Sequence, residues 1–149
     1  METELLRGIQ QFNRREFYEC HETLEALWLA EKSEVRQLYQ GVLQVGVAFH
    51  HLLRGNYVGA VRLLDRGLNR LRAFGPACRG VDVAGLMEAA SRCREQLVAL
   101  GPNRIGEFDR SLIPVLRLAE DKPPPYDGVL GSPSDCGDES GPRGGGRST

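Results

Sequence analysis

The chain has 149 residues, of which 41 % are hydrophobic and 26 % are charged, and its formal net charge is −1. This length is enough for one domain with its own core, and the near-neutral charge gives no general reason to expect nucleic acid or an anionic membrane as a partner. No apolar run approaches the roughly 20 residues of a membrane span, and the acidic start does not resemble a signal peptide.

Apolar residues recur with a helical period along most of the chain. In the first predicted helix, Leu5, Ile9 and Phe12 lie on one face. Asn13 is a candidate stop for this helix or a cap for the next. The same period predicts three further helices, at about 16–31, 34–54 and 57–73.

The C-terminal half continues this helical pattern and then loses it. Asp82 can cap a fifth helix that carries apolar residues from Leu86 to Leu100. Residues 108–118 are apolar but contain Pro114, so we predict a short helix followed by an extended docking segment. No strand pattern is present. Residues 122–149 are rich in Pro, Gly and Ser with little to bury, which predicts a disordered tail.

A weak internal repeat occurs at an offset of 40 residues. For example, Phe12 matches Leu52 and Phe17 matches Tyr57. The repeat predicts one α-hairpin used twice, with the two copies sharing a core. The predicted fold is therefore an all-α, single-domain bundle of about five helices over residues 1–121, built from antiparallel α-hairpins.

The second helix places polar groups at the edge of its apolar face. At about 100° per residue, Glu25 lies one turn after His21 and beside it, close to Trp28. Glu22 points further round the helix. A carboxylate next to an imidazole is a workable acid–base pair.

The third helix is apolar nearly all round, which is typical of a central, buried helix. It nevertheless carries a polar stripe, because Gln37, Gln40, Gln44 and His51 fall within about 60° of one another. Buried polar groups need partners, since an unpaired one costs roughly 1–3 kcal/mol.

Two interpretations of this polar pattern remain open, a structural network that fixes helix register and a functional pocket. In both, we expect His21, Glu25, Gln44 and His51 to form one hydrogen-bonded cluster, with Trp28 packed against its wall. No complete metal-binding or catalytic motif is present, because the sequence is His-Glu-x-x-Glu at residues 21–25. We therefore expect neither a metal nor a cofactor.

Other polar and reactive side chains favour simpler readings. Arg62, Arg66 and Arg70 share one side of the fourth helix, which is typical of a solvated face, although RNA binding is an alternative. Cys20 and Cys93 fall on apolar helix faces and are interpreted as buried thiols. That interpretation suits a reducing compartment, so we predict a cytoplasmic protein.

The motifs resemble a known family, domain of unknown function 309, over about residues 5–74. The first block that carries the resemblance is Phe12-Asn13, Phe17-Tyr18-Glu19, His21-Glu22, Glu25 and Trp28. The second block is Gln40-Gly41-Val42-Leu43-Gln44, Ala48-Phe49-His50-His51-Leu52 and Arg54-Gly55-Asn56-Tyr57. The resemblance implies an all-helical fold with polar residues inside the bundle, and it implies no activity. The positions that match the family pattern are His21, Glu22, Glu25, Trp28, Gln40, Gln44 and His51.

These residues form the candidate ligand-binding pocket. The sequence favours a helical small-ligand-binding or scaffold module over an enzyme. A small hydrolase or metal-dependent enzyme that uses His21 and Glu25 is the alternative, and an RNA-associated protein is the third hypothesis. A homodimer is also compatible with the acidic and basic regions of the chain.

Overall fold

The structure is a computed structural model, and it describes residues 2–119. Short 3₁₀ segments at Arg72–Phe74, Pro102–Glu107 and Arg110–Leu112 interrupt or follow the helices. Within the described residues the helices are α1 (Thr3–Asn13), α2 (Phe17–Ala30), α3 (Arg36–Leu53), α4 (Tyr57–Leu71) and α5 (Val83–Leu100). The all-α prediction is confirmed. The predicted disordered tail lies outside the described residues.

Helix α3 is the centre of the bundle, because it packs against α2 on one side and α4 on the other. Its apolar residues are buried around most of its circumference, as a central helix requires. Helix α1 packs on α2, and α5 packs on α4. The rings of Phe12, Phe17 and Phe49 join the two hairpins, with ring centroids 5.2 to 6.2 Å apart.

The two helical hairpins close with the same backbone hydrogen bonds, displaced by 40 residues. In the α1–α2 turn, the backbone N–H of Glu16 donates to the carbonyl of Gln11 at 2.9 Å. In the α3–α4 turn, the N–H of Asn56 donates to the carbonyl of His51 at 2.8 Å. This correspondence supports the predicted repeat, since chance similarity of apolar faces would not reproduce a turn.

The same two turns place one residue each in the left-handed region. Arg15 has φ 66° and Gly55 has φ 81°. Glycine adopts this conformation without steric cost, whereas another L-residue pays about 1–2 kcal/mol. The guanidinium of Arg15 donates hydrogen bonds to the carbonyls of Ile113 and Pro114 at 2.9 and 3.0 Å. These bonds offset the strain and attach the C-terminal segment to the first turn.

A small hairpin precedes α5 and corrects the expectation of no strand. Strands β1 (Ala77–Cys78) and β2 (Val81–Asp82) pair antiparallel around Arg79 and Gly80, which both have positive φ. Two-residue strands are too short to show an alternating pattern, so periodicity could not reveal them. Asp82 also caps α5 as predicted, accepting a hydrogen bond from the N–H of Gly85 at 3.0 Å.

Two local expectations near the chain ends have different outcomes. Asn13 does not cap α2, because its side chain instead makes two hydrogen bonds with the backbone of Leu116, at 2.6 and 3.1 Å. The segment 108–118 contains a short 3₁₀ turn and then an extended stretch, as Pro114 predicts. Within residues 2–119 no helix is long and apolar enough to cross a membrane.

Candidate functional site

All three histidines of the chain lie on one surface where α2 begins and α3 ends. The Tyr18 ring lies 6.3 Å from His21 and 6.5 Å from His50, and His50 lies 6.0 Å from His51. We call Tyr18, His21, His50 and His51 the histidine row. Tyr18 is 59 % exposed, and the three imidazoles are partly buried, so the row is open to solvent.

The helical hairpins explain why these rings meet. Tyr18 and His21 are three residues apart on α2 and therefore lie on one side of that helix. His50 and His51 occupy the last turn of α3. Because α2 and α3 run antiparallel, the beginning of one helix lies beside the end of the other.

Asn56 holds the last imidazole of the row in place. Its side-chain oxygen accepts a hydrogen bond from the N–H of Gly59 at 3.0 Å and so caps α4. Its side-chain nitrogen lies 3.3 Å from Nδ1 of His51. An amide NH₂ can only donate, so Nδ1 accepts, and the proton of the neutral ring is assigned to Nε2. A single side chain thus fixes both the helix start and the tautomer.

Burial lowers the pKa of His51 below its ordinary value, and the nearby charge of His50 lowers it further. Desolvation disfavours the charged form of an imidazole, and a neighbouring cation acts in the same direction. His51 is therefore neutral at neutral pH. A neutral, oriented imidazole can accept or donate a hydrogen bond and can act as a base.

The glutamines of α3 have a different partner from the one expected. The Arg70 guanidinium donates to Oε1 of Gln44 at 3.1 Å and also to Oε1 of Gln37. Gln44 is buried, and this bond satisfies its carbonyl oxygen. Arg70 therefore makes a structural contact between α3 and α4, although it is exposed like the rest of the arginine stripe.

Trp28 lies away from the histidine row, near the opposite end of α2. It is ten residues beyond Tyr18, which is about 15 Å along a helix. The Arg36 guanidinium lies 4.7 Å from the centre of its ring. The indole N–H is buried and has no hydrogen-bond partner among the described residues. Trp28 thus packs with Arg36 in the structure, and its place in the candidate pocket stays a prediction.

The hydrogen-bonded cluster predicted from His21, Glu25, Gln44 and His51 does not form within the part of the chain that the structure describes. Glu25 is exposed, as is Glu22, so neither carboxylate belongs to a buried pocket. Gln44 bonds to Arg70 and His51 bonds to Asn56, two helical turns apart on α3. Gln40 is partly buried one turn before Gln44. The predicted single pocket is thus two separate groups.

Sequence reasoning did not include Tyr18, Asn56 and Arg70 in the site. The signal for Asn56 is its place directly before a helix, where Asn is a typical cap whose amide nitrogen stays available for a second hydrogen bond. His50 is partly buried. Its contact with Tyr18 depends on how α2 lies against α3, which helical angles alone do not give.

No group of three or more His, Cys, Asp or Glu side chains with a geometry fit for a metal ion occurs within residues 2–119. The histidine row presents ring faces, one oriented imidazole and the nearby carboxylates of α2. Such a surface can hold a small polar molecule through hydrogen bonds and stacking. Cys20 and Cys93 are free and buried as expected, and burial raises their pKa to about 12 and about 11.

The comparisons agree with the family resemblance. The family model described as "Domain of unknown function (DUF309)" matches residues 5–63. This segment of the chain is similar to that family. The matched residues include α1 to α3 and the first half of α4, and thus the whole histidine row together with Asn56.

Two relatives match the chain over slightly more than half of its length. It is 35 % identical over 86 residues to the uncharacterized protein YpuF of Bacillus subtilis (strain 168), covering 56 % of this chain and 49 % of that protein. It is 29 % identical over 84 residues to an uncharacterized protein of Aquifex aeolicus (strain VF5), covering 55 % of this chain and 25 % of that protein. No solved structure matches the chain.

Proposed function

We propose that this protein is a helical binding module that holds a small polar ligand on the histidine row. The observation that carries the proposal is the convergence of all three histidines of the chain, from two helices, on one solvent-accessible surface. Exposed polar side chains are not needed to hold a bundle together, whereas a binding surface requires them.

The local chemistry also supports binding. Burial keeps His51 neutral, and Asn56 orients its ring. The Nε2–H is therefore a hydrogen-bond donor with a fixed direction. Glu22 and Glu25 are exposed on α2 and can accept hydrogen bonds. This combination fits a small molecule with both donor and acceptor groups.

Histidine-selective isotope labelling tests the proposal directly, because every labelled ring lies in the proposed site. We would add mixtures of organic acids, amino acids and nucleotides at millimolar concentration and follow the imidazole resonances by NMR. We expect at least one mixture to shift the signals of His21, His50 and His51 together. The same mixture should raise the melting temperature of the protein.

His51→Gln serves as the matched variant, and Gln10→Ala, on the exposed side of α1, is the control. The first substitution should weaken the response of the two remaining histidines, and the second should not. Mixtures that raise the melting temperature without moving any imidazole would contradict the proposal. A complete absence of imidazole shifts would contradict it in favour of a purely structural surface.

An acid–base enzyme is the second candidate, and the neutral, oriented state of His51 favours it. The predicted pair of His21 and Glu25 is less favoured, because Glu25 is exposed and makes no hydrogen bond to His21 among the described residues. Hydrolysis of p-nitrophenyl acetate faster than by free histidine, and its loss in His51→Gln, would support the enzyme. Hydrolysis no faster than free histidine would contradict it.

Three further predictions from the sequence stay proposals. A homodimer, RNA association and a cytoplasmic location have no further support from the described residues. For RNA, only Arg62 and Arg66 of the arginine stripe remain on the exposed face of α4 without a structural partner among residues 2–119.

A further inference from the structure

A cavity lies between α5 and the extended C-terminal segment, and its lining includes none of the residues of the histidine row. Its volume is 760 Å³, within the range of small-molecule sites. Leu86 and Ala89 of α5 and Ile113 of the segment supply apolar lining. Val115, also in the lining, is 43 % exposed, so part of this apolar surface is open to solvent.

More basic than acidic side chains line this cavity. Three arginines, Arg15, Arg92 and Arg117, line it together with the two carboxylates Asp82 and Glu88. Glu88 lies 3.5 Å from Arg92, but both are more than 60 % exposed, so this ion pair is weak.

Two of the guanidinium groups have no carboxylate partner within residues 2–119. Arg117 makes no side-chain hydrogen bond or ion pair within residues 2–119. Arg15 donates to the carbonyls of Ile113 and Pro114, which orient its guanidinium but leave its charge uncompensated. Asp82 is buried and caps α5. The cavity therefore combines an apolar wall with excess positive charge.

The backbone of Arg15 gives an independent reason to assign a role to this charge. Its φ of 66° lies where the second turn has glycine, Gly55 at φ 81°. Non-glycine residues in the left-handed region cost of order 1–3 kcal/mol and cluster at ligand clamps. A glycine at position 15 would remove this backbone strain. The arginine keeps the strain and places a cation at the cavity.

We propose that this cavity binds an amphipathic organic anion, a molecule with one carboxylate or similar acidic group and an apolar body. The acidic group interacts with Arg117 and the neighbouring guanidinium of Arg92, and the apolar body packs on Leu86 and Ile113. A guanidinium recognises a carboxylate with two parallel hydrogen bonds, which neutral alcohols cannot reproduce. Apart from Arg15, the residues that line the cavity lie outside the segment that matches the family model.

Decanoate and decanol are matched probes, because they share the apolar chain and differ in charge. We would measure the melting temperature of the full chain with each probe below its micelle concentration. We would also measure displacement by each probe of the fluorescent anion 8-anilinonaphthalene-1-sulfonate. We expect decanoate to raise the melting temperature and to displace the dye, and decanol to do neither at the same concentration.

Arg117→Gln is the decisive variant, since the Arg117 side chain is exposed and makes no hydrogen bond or ion pair to the described part of the chain. It should weaken decanoate binding by about tenfold, the effect of losing one charge-assisted hydrogen bond. Arg62→Gln, on the exposed face of α4, is the control and should leave binding unchanged. Equal binding of decanol, no binding of decanoate, or equal weakening by Arg62→Gln would each overturn the proposal.

Discussion

The α1–α2 turn and the α3–α4 turn share a backbone but differ in side chains. Position 11 carries glutamine, whose Oε1 accepts a 2.6 Å hydrogen bond from Thr23, and its equivalent, position 51, carries the oriented histidine. The helix that follows the first turn has no side-chain cap, whereas Asn56 caps the helix after the second.

This difference separates polar side chains that bond to other parts of the fold from polar side chains that the fold does not need. In the first turn, Gln11 and Arg15 bond to groups of the fold itself, namely the Thr23 hydroxyl and the carbonyls of the C-terminal segment. In the second turn, the His51 side chain bonds to no residue but Asn56 within residues 2–119, and Gly55 has nothing within 4 Å of a built Cβ. The second turn therefore has side chains beyond what closing a hairpin needs.

The largest effect should follow from breaking the aromatic contact that the two hairpins share. Phe12 is fully buried, and its ring centroid lies 5.2 Å from that of Phe17 and 6.2 Å from that of Phe49. Phe12→Ala should lower the free energy of unfolding by about 3–5 kcal/mol in urea denaturation. Tyr18→Ala, at a 59 % exposed position, is the control and should change it by less than about 0.5 kcal/mol. Equal effects would contradict the described core.

Glycine substitutions should distinguish the packing of the two hairpins. A Cβ on Gly67 would lie 2.7 Å from Val45 and 3.0 Å from the carbonyl oxygen of Gly41, so Gly67→Ala should cost about 1–3 kcal/mol. A Cβ on Gly8 would lie 3.1 Å from the flexible end of Leu24, so Gly8→Ala should be neutral or gain up to about 1 kcal/mol from helix propensity. Urea denaturation measures both, and a stable Gly67→Ala protein would refute the close α3–α4 approach.

Exchanging the left-handed residues should expose the strain of the first turn. Gly55→Ala should destabilise the protein by about 1–2 kcal/mol, because its φ is 81° and no new contact compensates. Arg15→Gly should be more stable than Arg15→Ala by a similar amount, since both lose the guanidinium and only one keeps the strain. Equal stability of the two Arg15 variants would show that this turn is not strained.

The pH dependence of His51 should be a smaller effect with a definite sign. Its pKa in the folded state is below the ordinary 6.5, because of burial and then His50. The unfolded chain therefore binds the proton more readily, and stability should fall as pH drops below about 6.5 toward the folded pKa. Asn56→Asp should raise the pKa of His51 in an NMR titration while keeping the α4 cap. An unchanged pKa would contradict the contact between residues 51 and 56.

Helical periodicity was enough to predict most of the fold but not the connections within the site. The apolar faces of α1 to α5, the central position of α3 and the repeat all follow from spacing, which reports which face of a helix is buried. Spacing does not report how far along its neighbour each side chain lies. Gln44 and His51 share a stripe on α3, yet one meets Arg70 near the end of α4 and the other meets Asn56 at its start.

The same limitation explains why the sequence predicts one shared pocket for side chains that the structure holds at separate places. Glu25 lies on the side of α2 next to the apolar face, and Glu22 points further round. Whether such positions are covered depends on the neighbouring helix. In the structure α3 leaves these positions exposed. Trp28 is in the same angular sector as His21 but two turns further along, where Arg36 covers it. Angle alone could not separate these positions.

The central claim, that the second turn carries an imidazole the fold does not need, is tested most directly by the free energies of unfolding of two equivalent variants. Gln11→Ala leaves the buried Thr23 hydroxyl without its partner and should cost about 1–2 kcal/mol. His51→Gln keeps a polar side chain beside Asn56 at a partly exposed position and should cost less than about 0.5 kcal/mol. Urea denaturation at pH 7.5, where the wild-type imidazole is neutral, gives both values. A cost for His51→Gln equal to or above that of Gln11→Ala would show that the histidine is structural and would contradict the claim.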